Sequence, residues 1–375
     1  MNKIYLVFLV CIFLSCNKNV LIDNKYGTPV ELERIVTNVD LDDNTLNSYN
    51  LLSTLYYSFK DYIYAYNYFT HAIDIINITD NNVSHIKLHT EGSNGIADEI
   101  TGLYISSPDS IWIATTTNIV LINPDGEIIN NHSLLEKDSE TALIMCNFSV
   151  CTSKIYYNPK RNSLFYLVMS VNDDKSTFFA EEHLLSDNTK KKYPLSFNTD
   201  KDVRNKYGWK QCPNITFTES NILYNLPIES NVYAIDIETG KNSVYGGKSR
   251  CTKNEVDELN LPYDFEQANR HYCNNVHFFE INYDPVNDFY YRLHLGEIAY
   301  DATQDFESIL NKKDIYLMVF NNKFEVINET KLYDQRYGFR NCWGVSSQGF
   351  FITKSNPFYK DVNFEQFQTD IFHIE

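Results

Sequence analysis

Two basic residues in the segment Tyr290–Leu295 have a spacing that could support ligand binding. Arg292 and His294 lie two positions apart, so on a β-strand both side chains point to one face of the sheet. A guanidinium and an imidazole on one face of so apolar a strand indicate either a polar channel or a buried ion pair. We expect the face to line a channel; if it packs between sheets, the guanidinium must pair with an acid or with backbone carbonyls. Three further basic residues are expected to converge on the same channel, namely Arg270, His271 and Arg340.

The loop His89–Glu99 is a second candidate binding site. Glu91 and Asn94 offer side-chain oxygens to a cation or a polar ligand, and Gly92 and Gly95 allow positive φ angles there. The alternative is a rigid connector between two sheets. We include Glu91 and Asn94 among the predicted ligand-binding residues.

Metal-ligand spacing is absent from the sequence. None of the eight cysteines is spaced as Cys-x2-Cys, and His85 and His89, with the nearby Glu91, have no third motif to support them. We therefore expect no metal and no cofactor. Six cysteines follow Cys16, and either disulfides or free thiols are open to them: Cys146, Cys151, Cys212, Cys251, Cys273 and Cys342.

Sequence signatures of common enzymes are also missing. The chain contains no Gly-x-Ser-x-Gly, no His-Glu-x-x-His and no glycine loop of the phosphate-binding type. Its 32 basic and 49 acidic residues give a net charge of -17, which repels phosphate backbones and argues against nucleic-acid binding. So many acidic residues can place a carboxylate pair suitably by chance, and a hydrolase that uses such a pair therefore stays an alternative.

Most of the chain has the composition of β-strands. Runs rich in Tyr, Phe, Ile, Val and Thr are broken by clusters of Asn, Asp, Pro and Gly. Strands are predicted, for example, at Tyr62–Phe69, Ile111–Thr115, Leu164–Val171 and Val232–Ile237. The best helix candidate is Tyr263–Tyr272, which is short and has no strong N-cap. The sequence therefore predicts an all-β protein.

A repeated element organises these strands. An aromatic residue, a polar turn and a strand that opens with bulky side chains recur at intervals of about 47 to 67 residues. The clearest turns read Asn-Pro-x-x-Asn or Asp-Pro-x-x-Asp, which suits a tight hairpin because Pro fits the first central position of a turn. The copies begin at Tyr57, Tyr104, Tyr157, Tyr224 and Tyr283, with a weaker one at Val345.

Six repeats of this length predict a six-bladed β-propeller at residues 31–375. A four-stranded sheet cannot bury both faces alone, whereas radial stacking covers the faces and leaves only short edges. Seven blades or paired β-sandwiches are the alternatives. We expect the ring to close through the C-terminal strand Thr369–Ile374 or through the N-terminal segment Glu31–Val36.

Residues 1–15 have the layout of a secretory signal peptide. After one lysine, the apolar run Ile4–Leu14 is too short to span a bilayer, which needs about 20 residues. The ending Ser15-Cys16 resembles a bacterial lipobox of the kind found in Bacteroides-type bacteria, in which the cysteine is lipidated and becomes the first residue. We predict lipidation at Cys16 and a tether at residues 16–30. An ordinary signal peptide with a chance cysteine is the alternative.

Four segments together carry a family resemblance: Glu91–Ile96, Thr101–Ile113, Ile119–Ile128 and Tyr283–Leu293. They resemble a lipoprotein family of Bacteroides-type bacteria, domain of unknown function 4221, which is similar to six-bladed propellers of the NHL or TolB type. The resemblance implies the fold and the cell-envelope location of most of the mature chain. It implies no activity and no catalytic residues.

The expected function is therefore binding. We predict a non-enzymatic, lipid-anchored propeller that serves as a binding or scaffold module for a protein or saccharide partner, because the aromatic content supplies interface anchors. A propeller hydrolase or lactonase-type enzyme with a channel metal or a carboxylate pair is the alternative. The sequence Asn17-Lys18-Asn19 lacks an acidic run, which favours an outer-membrane anchor that faces the periplasm. We expect a monomer that touches the membrane only through its lipid.

Overall fold

A computed structural model describes the chain as a succession of antiparallel β-sheets. It describes residues 22–134, 141–143, 155–172, 175–197, 206–208, 210, 212–332, 336–338 and 341–375. Within these residues, six sheets follow one another along the chain, and we call them blades 1 to 6. In the same residues, no helix is both long enough and apolar enough to cross a membrane.

The first strand of the chain, β1 (Leu32–Asp40), belongs to the last blade. Blade 1 consists of β2 (Leu52–Tyr57), β3 (Lys60–Asn67), β4 (Ala72–Asn77) and β5 (Asn82–Lys87). Blade 2 consists of β6 (Ile100–Ser107), β7 (Ser110–Thr115), β8 (Asn118–Ile122) and β9 (Ile128–Ser133). Blade 3 consists of β10 (Thr141–Leu143), β11 (Ile155–Asn158), β12 (Ser163–Asn172), β13 (Lys175–Leu184) and β14 (Lys190–Pro194).

Blades 4 to 6 complete the series and include two helices. Blade 4 consists of β15 (Asn214–Phe217), β16 (Asn221–Asn225), β17 (Val232–Asp236) and β18 (Asn242–Tyr245). Helix α1 (Phe265–Asn274) precedes blade 5. Blade 5 consists of β19 (His277–Asp284), β20 (Phe289–Leu295), β21 (Ile315–Phe320) and β22 (Val326–Leu332). Helix α2 (Phe306–Leu310) lies between β20 and β21. Blade 6 consists of β23 (Trp343–Ser346), β24 (Gly349–Thr353), β25 (Gln366–Ile374) and β1.

Burial is greatest on the middle strands of the blades and lowest on the outer strands. Every residue of β24 is buried, whereas most of the outer strand β9 is exposed. Both faces of an inner strand are therefore covered, which is expected when sheets stack radially. The four strands predicted from composition coincide with β3, β7, β12 and β17 to within two residues at either end.

The seams between neighbouring blades carry the hydrophobic core. Ile73 and Ile113 belong to the cluster between blades 1 and 2, and Leu223 and Phe320 belong to the cluster between blades 4 and 5. Each seam buries apolar side chains from two sheets, so every blade is stabilised by its two neighbours. The predicted six-bladed β-propeller is confirmed, and the seven-bladed and sandwich alternatives are wrong.

The ring closes where the two ends of the chain meet in blade 6. Strand β1 pairs antiparallel with β25, from Leu32 opposite Ile374 to Asp40 opposite Gln366. Both segments that were predicted for closure therefore take part. Strand β1 covers the edge of β25 that would otherwise be open. Residues 26–30, which the sequence analysis assigned to the tether, also contact blade 5, where the Gly27 N–H donates to the Val326 carbonyl at 3.0 Å.

The repeated turns mark one hairpin in each blade, but blade 4 departs from the predicted position. Tyr57, Tyr104, Tyr157 and Tyr283 lie on innermost strands before the first hairpin turn. Tyr224 lies on the second strand β16, so its assignment to the same position is wrong. The first turn of blade 4 follows β15 and carries neither a tyrosine nor an Asx-Pro pair, so it lacks the residues that define the repeat in the other blades.

Helix α1 confirms the predicted helix, with a stronger start than the sequence analysis assigned. Asp264 is the N-cap and accepts a hydrogen bond from the Gln267 N–H at 2.7 Å, while the Gln267 side chain accepts one from the Asp264 N–H at 2.9 Å. This capping box satisfies two backbone donors that the first turn leaves free.

A chain of polar side chains joins the exit of β1 to blade 1. The buried carboxylate of Asp74 accepts hydrogen bonds from Tyr49 Oη at 2.6 Å and from Asn67 Nδ2 at 2.8 Å, and His85 Nδ1 lies 2.7 Å away. The other ring nitrogen of His85 lies 2.8 Å from Asp42 Oδ2. Burial alone would lower the pKa of His85, but the two carboxylates raise it above its usual value.

Candidate functional site

A cavity of about 660 Å³ lies on the axis of the ring. The innermost strands of all six blades line it, so every repeat of the fold contributes to its wall. Its volume falls within the range of about 300–1,000 Å³ that is usual for small-molecule sites. The rim consists of first hairpin turns, which include Pro159, Ser220, Pro285 and Ser347.

Aromatic side chains from every blade form much of the cavity wall: Tyr56, Tyr104, Tyr156, Phe217, Tyr283, Tyr290 and Trp343. The ring centroids of Tyr104 and Tyr156 are 5.1 Å apart in an edge-to-face contact, and Tyr156 stacks against Phe217 at 6.3 Å. A continuous aromatic belt therefore runs from blade 2 to blade 4.

In blades 5 and 6, on the opposite wall, ring contacts and a hydrogen bond fix the aromatic side chains. Tyr283 and Tyr290 of blade 5 have ring centroids 4.9 Å apart. Trp343 of blade 6 is 2% exposed, and its Nε1 donates to the Glu280 carboxylate at 2.6 Å. This hydrogen bond orients the indole, so Trp343 presents a preorganised surface to the cavity.

Two buried phenols of the cavity, Tyr156 and Tyr290, stay neutral at physiological pH. Burial raises the pKa of Tyr156 to about 12, and the Glu219 carboxylate acts in the same direction. Burial likewise raises the pKa of Tyr290 to about 12, with smaller contributions from neighbouring Tyr283 and Asp288. Neutral hydroxyl groups can both donate and accept hydrogen bonds, which suits a polar, uncharged ligand.

One carboxylate lies among the lining residues that the structure describes. Glu219 is about half exposed at the rim, and its Oε1 lies 2.7 Å from Lys160 Nζ. A glycosidase of the usual type needs two carboxylates on either side of the scissile bond. Across the described parts of the chain, no group of three or more His, Cys, Asp or Glu side chains could hold a metal ion.

Asx turns set the rim of the cavity. Asn158 Oδ1 accepts hydrogen bonds from the backbone N–H groups of Lys160 and Arg161, at 3.1 and 3.3 Å. Asp284 Oδ1 does the same for Val286 and Asn287, at 2.9 and 3.0 Å. These side chains place Pro159 and Pro285 at the mouth, as the repeated turn motif predicted.

The rim turns are also tied to neighbouring blades. Asp61 of blade 1 accepts hydrogen bonds from both the backbone N–H and the hydroxyl of Ser347 in blade 6, each at 2.7 Å. Asn158 Nδ2 of blade 3 donates to the Glu219 carbonyl of blade 4 at 2.9 Å. The mouth therefore keeps its shape through polar contacts between blades, in addition to hydrophobic packing.

The structure places Arg292 away from this cavity, in the seam between blades 4 and 5. Its side chain is fully buried, and its guanidinium donates to the carbonyls of Ser230 at 2.8 Å and Gly247 at 2.6 Å. The rings of Phe278 and Phe320 lie under the guanidinium at 4.8 and 5.3 Å. Burial lowers the pKa of Arg292 to about 9. The expectation that Arg292 lines an open channel is wrong. The face of β20 that carries Arg292 packs between two sheets, and backbone carbonyls accept the hydrogen bonds of its guanidinium.

His294 shares the face of Arg292, as strand alternation predicted. It is fully buried, and its ring stacks between Phe278 and Tyr316 at centroid distances of 5.4 and 4.9 Å. Burial lowers the pKa of His294 well below its usual value, and the Arg292 charge lowers it further. His294 Nε2 lies 3.4 Å from Glu329 Oε1, and because the imidazole is neutral this contact is not an ion pair. A ligand-binding role for Arg292 and His294 stays a prediction.

The other predicted basic residues do not converge on Arg292. Arg270 lies on the surface of α1, where it pairs with Glu266 at 2.9 Å. His271 is buried, and its Nε2 donates to the Asp257 carbonyl at 2.6 Å. Arg340 lies outside the described residues.

The loop His89–Glu99 connects blades 1 and 2. Gly92 has the predicted positive φ, +83°, whereas Gly95 is not in that region; a Cβ at Gly95 would lie 3.0 Å from the Glu91 backbone. The Asn94 side-chain oxygen accepts a hydrogen bond from the Ile128 N–H at 3.2 Å, while Glu91 is exposed. Asn94 therefore has a connecting role, and ligand binding by Glu91 and Asn94 stays a prediction.

The described cysteines are not joined to one another. Cys251 and Cys273 carry free thiols, and no disulfide links either to Cys212 or Cys342. The Cys342 thiol donates to the Tyr49 carbonyl at 3.1 Å. Burial raises the pKa of Cys273. Cys146 and Cys151, which the sequence analysis considered for local pairing, lie outside the described residues, as does Cys16.

The residues that line the axial cavity were not predicted from the sequence. Adjacent aromatic pairs, such as Tyr56-Tyr57 and Tyr156-Tyr157, stand at the ends of innermost strands. Because side chains alternate along a strand, one member of such a pair must face away from the other. Tyr56 and Tyr156 line the cavity. Adjacent aromatic pairs at the ends of innermost strands were therefore the sequence signal that could have identified the cavity wall.

The comparisons with known proteins agree with this architecture. The family model described as "Domain of unknown function (DUF4221)" matches residues 30–331, which is most of the chain. The chain belongs to the DUF4221 family. A DUF4221 protein from Bacteroides vulgatus has a crystal structure that matches with a TM-score of 0.76 at 19% identity, over 93% of this chain and 99% of that one.

A second solved structure shares the fold of this DUF4221 protein. It is a candidate exported protein from Bacteroides fragilis, with a TM-score of 0.56 and 11% identity over 94% of this chain and 98% of that one. At these identities the two structures establish the propeller fold alone. No curated protein matches the chain.

Proposed function

We propose that this DUF4221 protein is a non-enzymatic binding module of the cell envelope whose axial cavity takes a neutral saccharide. The observation that carries the proposal is the cavity wall, to which each of the six blades contributes at least one aromatic side chain. The C–H faces of pyranose rings are apolar and stack on aromatic rings, while their hydroxyl groups need hydrogen-bond partners. The cavity offers both kinds of surface.

Polar groups at the cavity complement the aromatic rings. Threonine and asparagine side chains stand among them, including Thr54, Thr216 and Asn282. The net charge of -17 and the Glu219 carboxylate at the rim disfavour anionic ligands, so a neutral saccharide is the best match. A concave site of this volume suits the end of an oligosaccharide better than a flat protein surface.

Replacing Tyr56 by alanine should weaken saccharide binding at least about tenfold, which corresponds to about 1.4 kcal/mol. Tyr56 lines the cavity and is 46% exposed, so its ring can contact a ligand and its loss should leave the fold intact. A panel of neutral oligosaccharides from plant, host and bacterial polysaccharides would be screened by thermal shift, and affinities would then be measured by calorimetry.

Tyr57 provides a matched control for this experiment. It is the next residue on β2, it is similarly exposed, and it does not line the cavity. Tyr57→Ala should bind as the unmodified protein does. Equal losses in the two variants would place the ligand outside the cavity, and a panel without a single binder would contradict the saccharide proposal in favour of a protein partner.

We further propose that the protein is an outer-membrane lipoprotein anchored at Cys16 and facing the periplasm. The apolar run that ends at Ser15-Cys16, and the absence of an acidic run after it, support this location. Cys16→Ala should move the protein from the membrane fraction to the soluble fraction and abolish metabolic labelling with a fatty acid. A Cys16→Ala variant that still carries the label would show that another residue is the attachment site.

A further inference from the structure

The seam between blades 2 and 3 contains two histidines and a tryptophan, each with one buried ring nitrogen that has no hydrogen-bond partner among the described residues. His132 lies on β9, His183 on β13 and Trp112 on β7. The ring centroids of His132 and His183 are 5.6 Å apart, and those of Trp112 and His132 are 6.1 Å apart. Within the described residues, His132 Nε2, His183 Nδ1 and Trp112 Nε1 are buried and have no hydrogen-bond partner.

His183 is held in one orientation and one tautomer. It is 1% exposed, and its Nε2 lies 2.5 Å from the side-chain oxygen of Asn188. Because an amide oxygen only accepts, Nε2 carries a proton, and Nδ1 is the ring nitrogen that can present a lone pair. Histidines that bind metals commonly donate their other ring N–H to an oxygen in this way.

His132 is the second imidazole of this cluster. It is partly exposed, so solvent reaches the seam from its side. Its Nε2 is buried and has no hydrogen-bond partner among the described residues. A buried nitrogen lone pair without a partner is costly to the fold, which a bound ligand would relieve.

The separation of the two rings fits a shared metal ion. A zinc–nitrogen bond is about 2.0–2.1 Å and an imidazole nitrogen lies about 1.2 Å from its ring centre, so two imidazoles on one ion have centres roughly 5.2–6.4 Å apart. The 5.6 Å between His132 and His183 lies within this interval. The nearly perpendicular ring planes, at 82°, are compatible with coordination because each ring can rotate about its metal–nitrogen bond.

We infer that His132 Nε2 and His183 Nδ1 form a binding site for a divalent transition metal of the zinc type at the seam between blades 2 and 3. Two imidazole nitrogens supply the protein ligands, and water occupies the remaining positions. Asn188 acts as a positioning residue, because it orients His183 without touching the metal. The site is independent of the axial cavity, and it would clip two blades together in the presence of zinc.

Zinc chloride should raise the melting temperature of the purified protein in a concentration-dependent way, because a ligand that binds only the folded state stabilises it. EDTA should reverse the shift. His132→Gln and His183→Gln should each weaken the apparent affinity at least about tenfold, and the double variant should lose little more, since the two ligands act as a unit.

Two further variants separate a metal site from a structural effect. Asn188 has a φ of 60°, so Asn188→Gly keeps the backbone and removes only the oxygen that orients His183; zinc affinity should fall by roughly 10–100-fold. His89 is an exposed loop residue, and His89→Gln should bind zinc as the unmodified protein does. Far-UV circular dichroism without zinc checks that each variant is folded.

Cobalt(II) provides a direct readout of the ligands, since its visible absorption changes when imidazoles replace water. The proposal requires this change in the unmodified protein and its loss in His132→Gln. It is overturned if zinc stabilises the histidine variants as much as the unmodified protein. It is also overturned if neither zinc nor cobalt has any effect, which would assign the three nitrogens to a buried water molecule instead.

Discussion

Replacing Arg292 by alanine should lower the free energy of unfolding by about 3–5 kcal/mol. The guanidinium is fully buried between blades 4 and 5 and supplies the donors for the Ser230 and Gly247 carbonyls. Removing it leaves these acceptors without their partner and opens a cavity beside Phe278 and Phe320, and both effects destabilise a packed seam. Urea unfolding followed by tyrosine and tryptophan fluorescence measures the change.

Arg270 is the matched control for this prediction. It is also an arginine, but it lies exposed on α1, where it pairs with Glu266. Arg270→Ala should leave the unfolding midpoint unchanged within error, because exposed pairs contribute little. If Arg292→Ala is as stable as Arg270→Ala and instead loses a ligand, the sequence-based prediction of a binding role for Arg292 stands and the structural role is refuted.

Asp74→Ala should destabilise the protein by a similar amount, about 3–5 kcal/mol, because Asp74 is the buried acceptor at the centre of a polar network. Tyr49, Asn67 and His85 all place donor atoms within 2.6–2.8 Å of its carboxylate. Without Asp74 these three groups lose their common acceptor in a buried setting. Asp80, an exposed carboxylate that pairs with Lys60, is the control, and Asp80→Ala should change the urea midpoint little.

The pH dependence of stability tests the same network. The pKa of His85 is raised in the folded state, so its contribution is fully present below the unfolded pKa and is lost as pH rises through the folded pKa. The pKa of Asp42 is lowered to about 2, first by the hydrogen bond from Thr45 and then by that of His85. Its contribution is present above the unfolded value of 3.8 and is lost as pH falls toward 2.

Asp74→Ala should flatten the part of the stability curve above the unfolded pKa of His85, because one of the two carboxylates that raise this pKa is gone. Urea midpoints between pH 5 and pH 9 give the curve. An unchanged slope in this interval would mean that Asp74 supports the fold without holding the His85 proton.

Two seams of the propeller contain buried polar side chains. Between blades 4 and 5, Arg292 donates to two backbone carbonyls, while its Nε and both ring nitrogens of His294 have no hydrogen-bond partner among the described residues. Between blades 2 and 3, His132 Nε2 and His183 Nδ1 have no partner among those residues either. The two seams differ in access, because His132 is partly exposed whereas Arg292 and His294 are fully buried.

Local chemistry explains what could be predicted about the fold. Strand positions followed from runs of aromatic and β-branched residues, and the hairpins at Asn158 and Asp284 followed from Asx-Pro pairs, because these preferences act within a few residues. Blade number followed from the interval between repeats. The position of Tyr224 was wrong because the first turn of blade 4 uses different residues from those of the other blades.

The site was less predictable than the fold. Alternation correctly placed Arg292 and His294 on one face of β20, yet the same alternation cannot tell a face that lines a channel from one that meets the next sheet. That distinction depends on how blade 5 packs on blade 4, which brings the carbonyls of Ser230 and Gly247 to a residue 62 and 45 positions away.

The sequence by itself determined the all-β class, the sixfold repeat, the ring closure and the helix at Tyr263–Tyr272, since each depends on short-range patterns or on their spacing. Only the tertiary structure decided where the functional surfaces lie. The axial cavity takes one or two aromatic residues from each of six distant segments, and the seam site joins His132 to His183 from different blades. Such groupings arise because radial packing brings together residues that no local pattern connects.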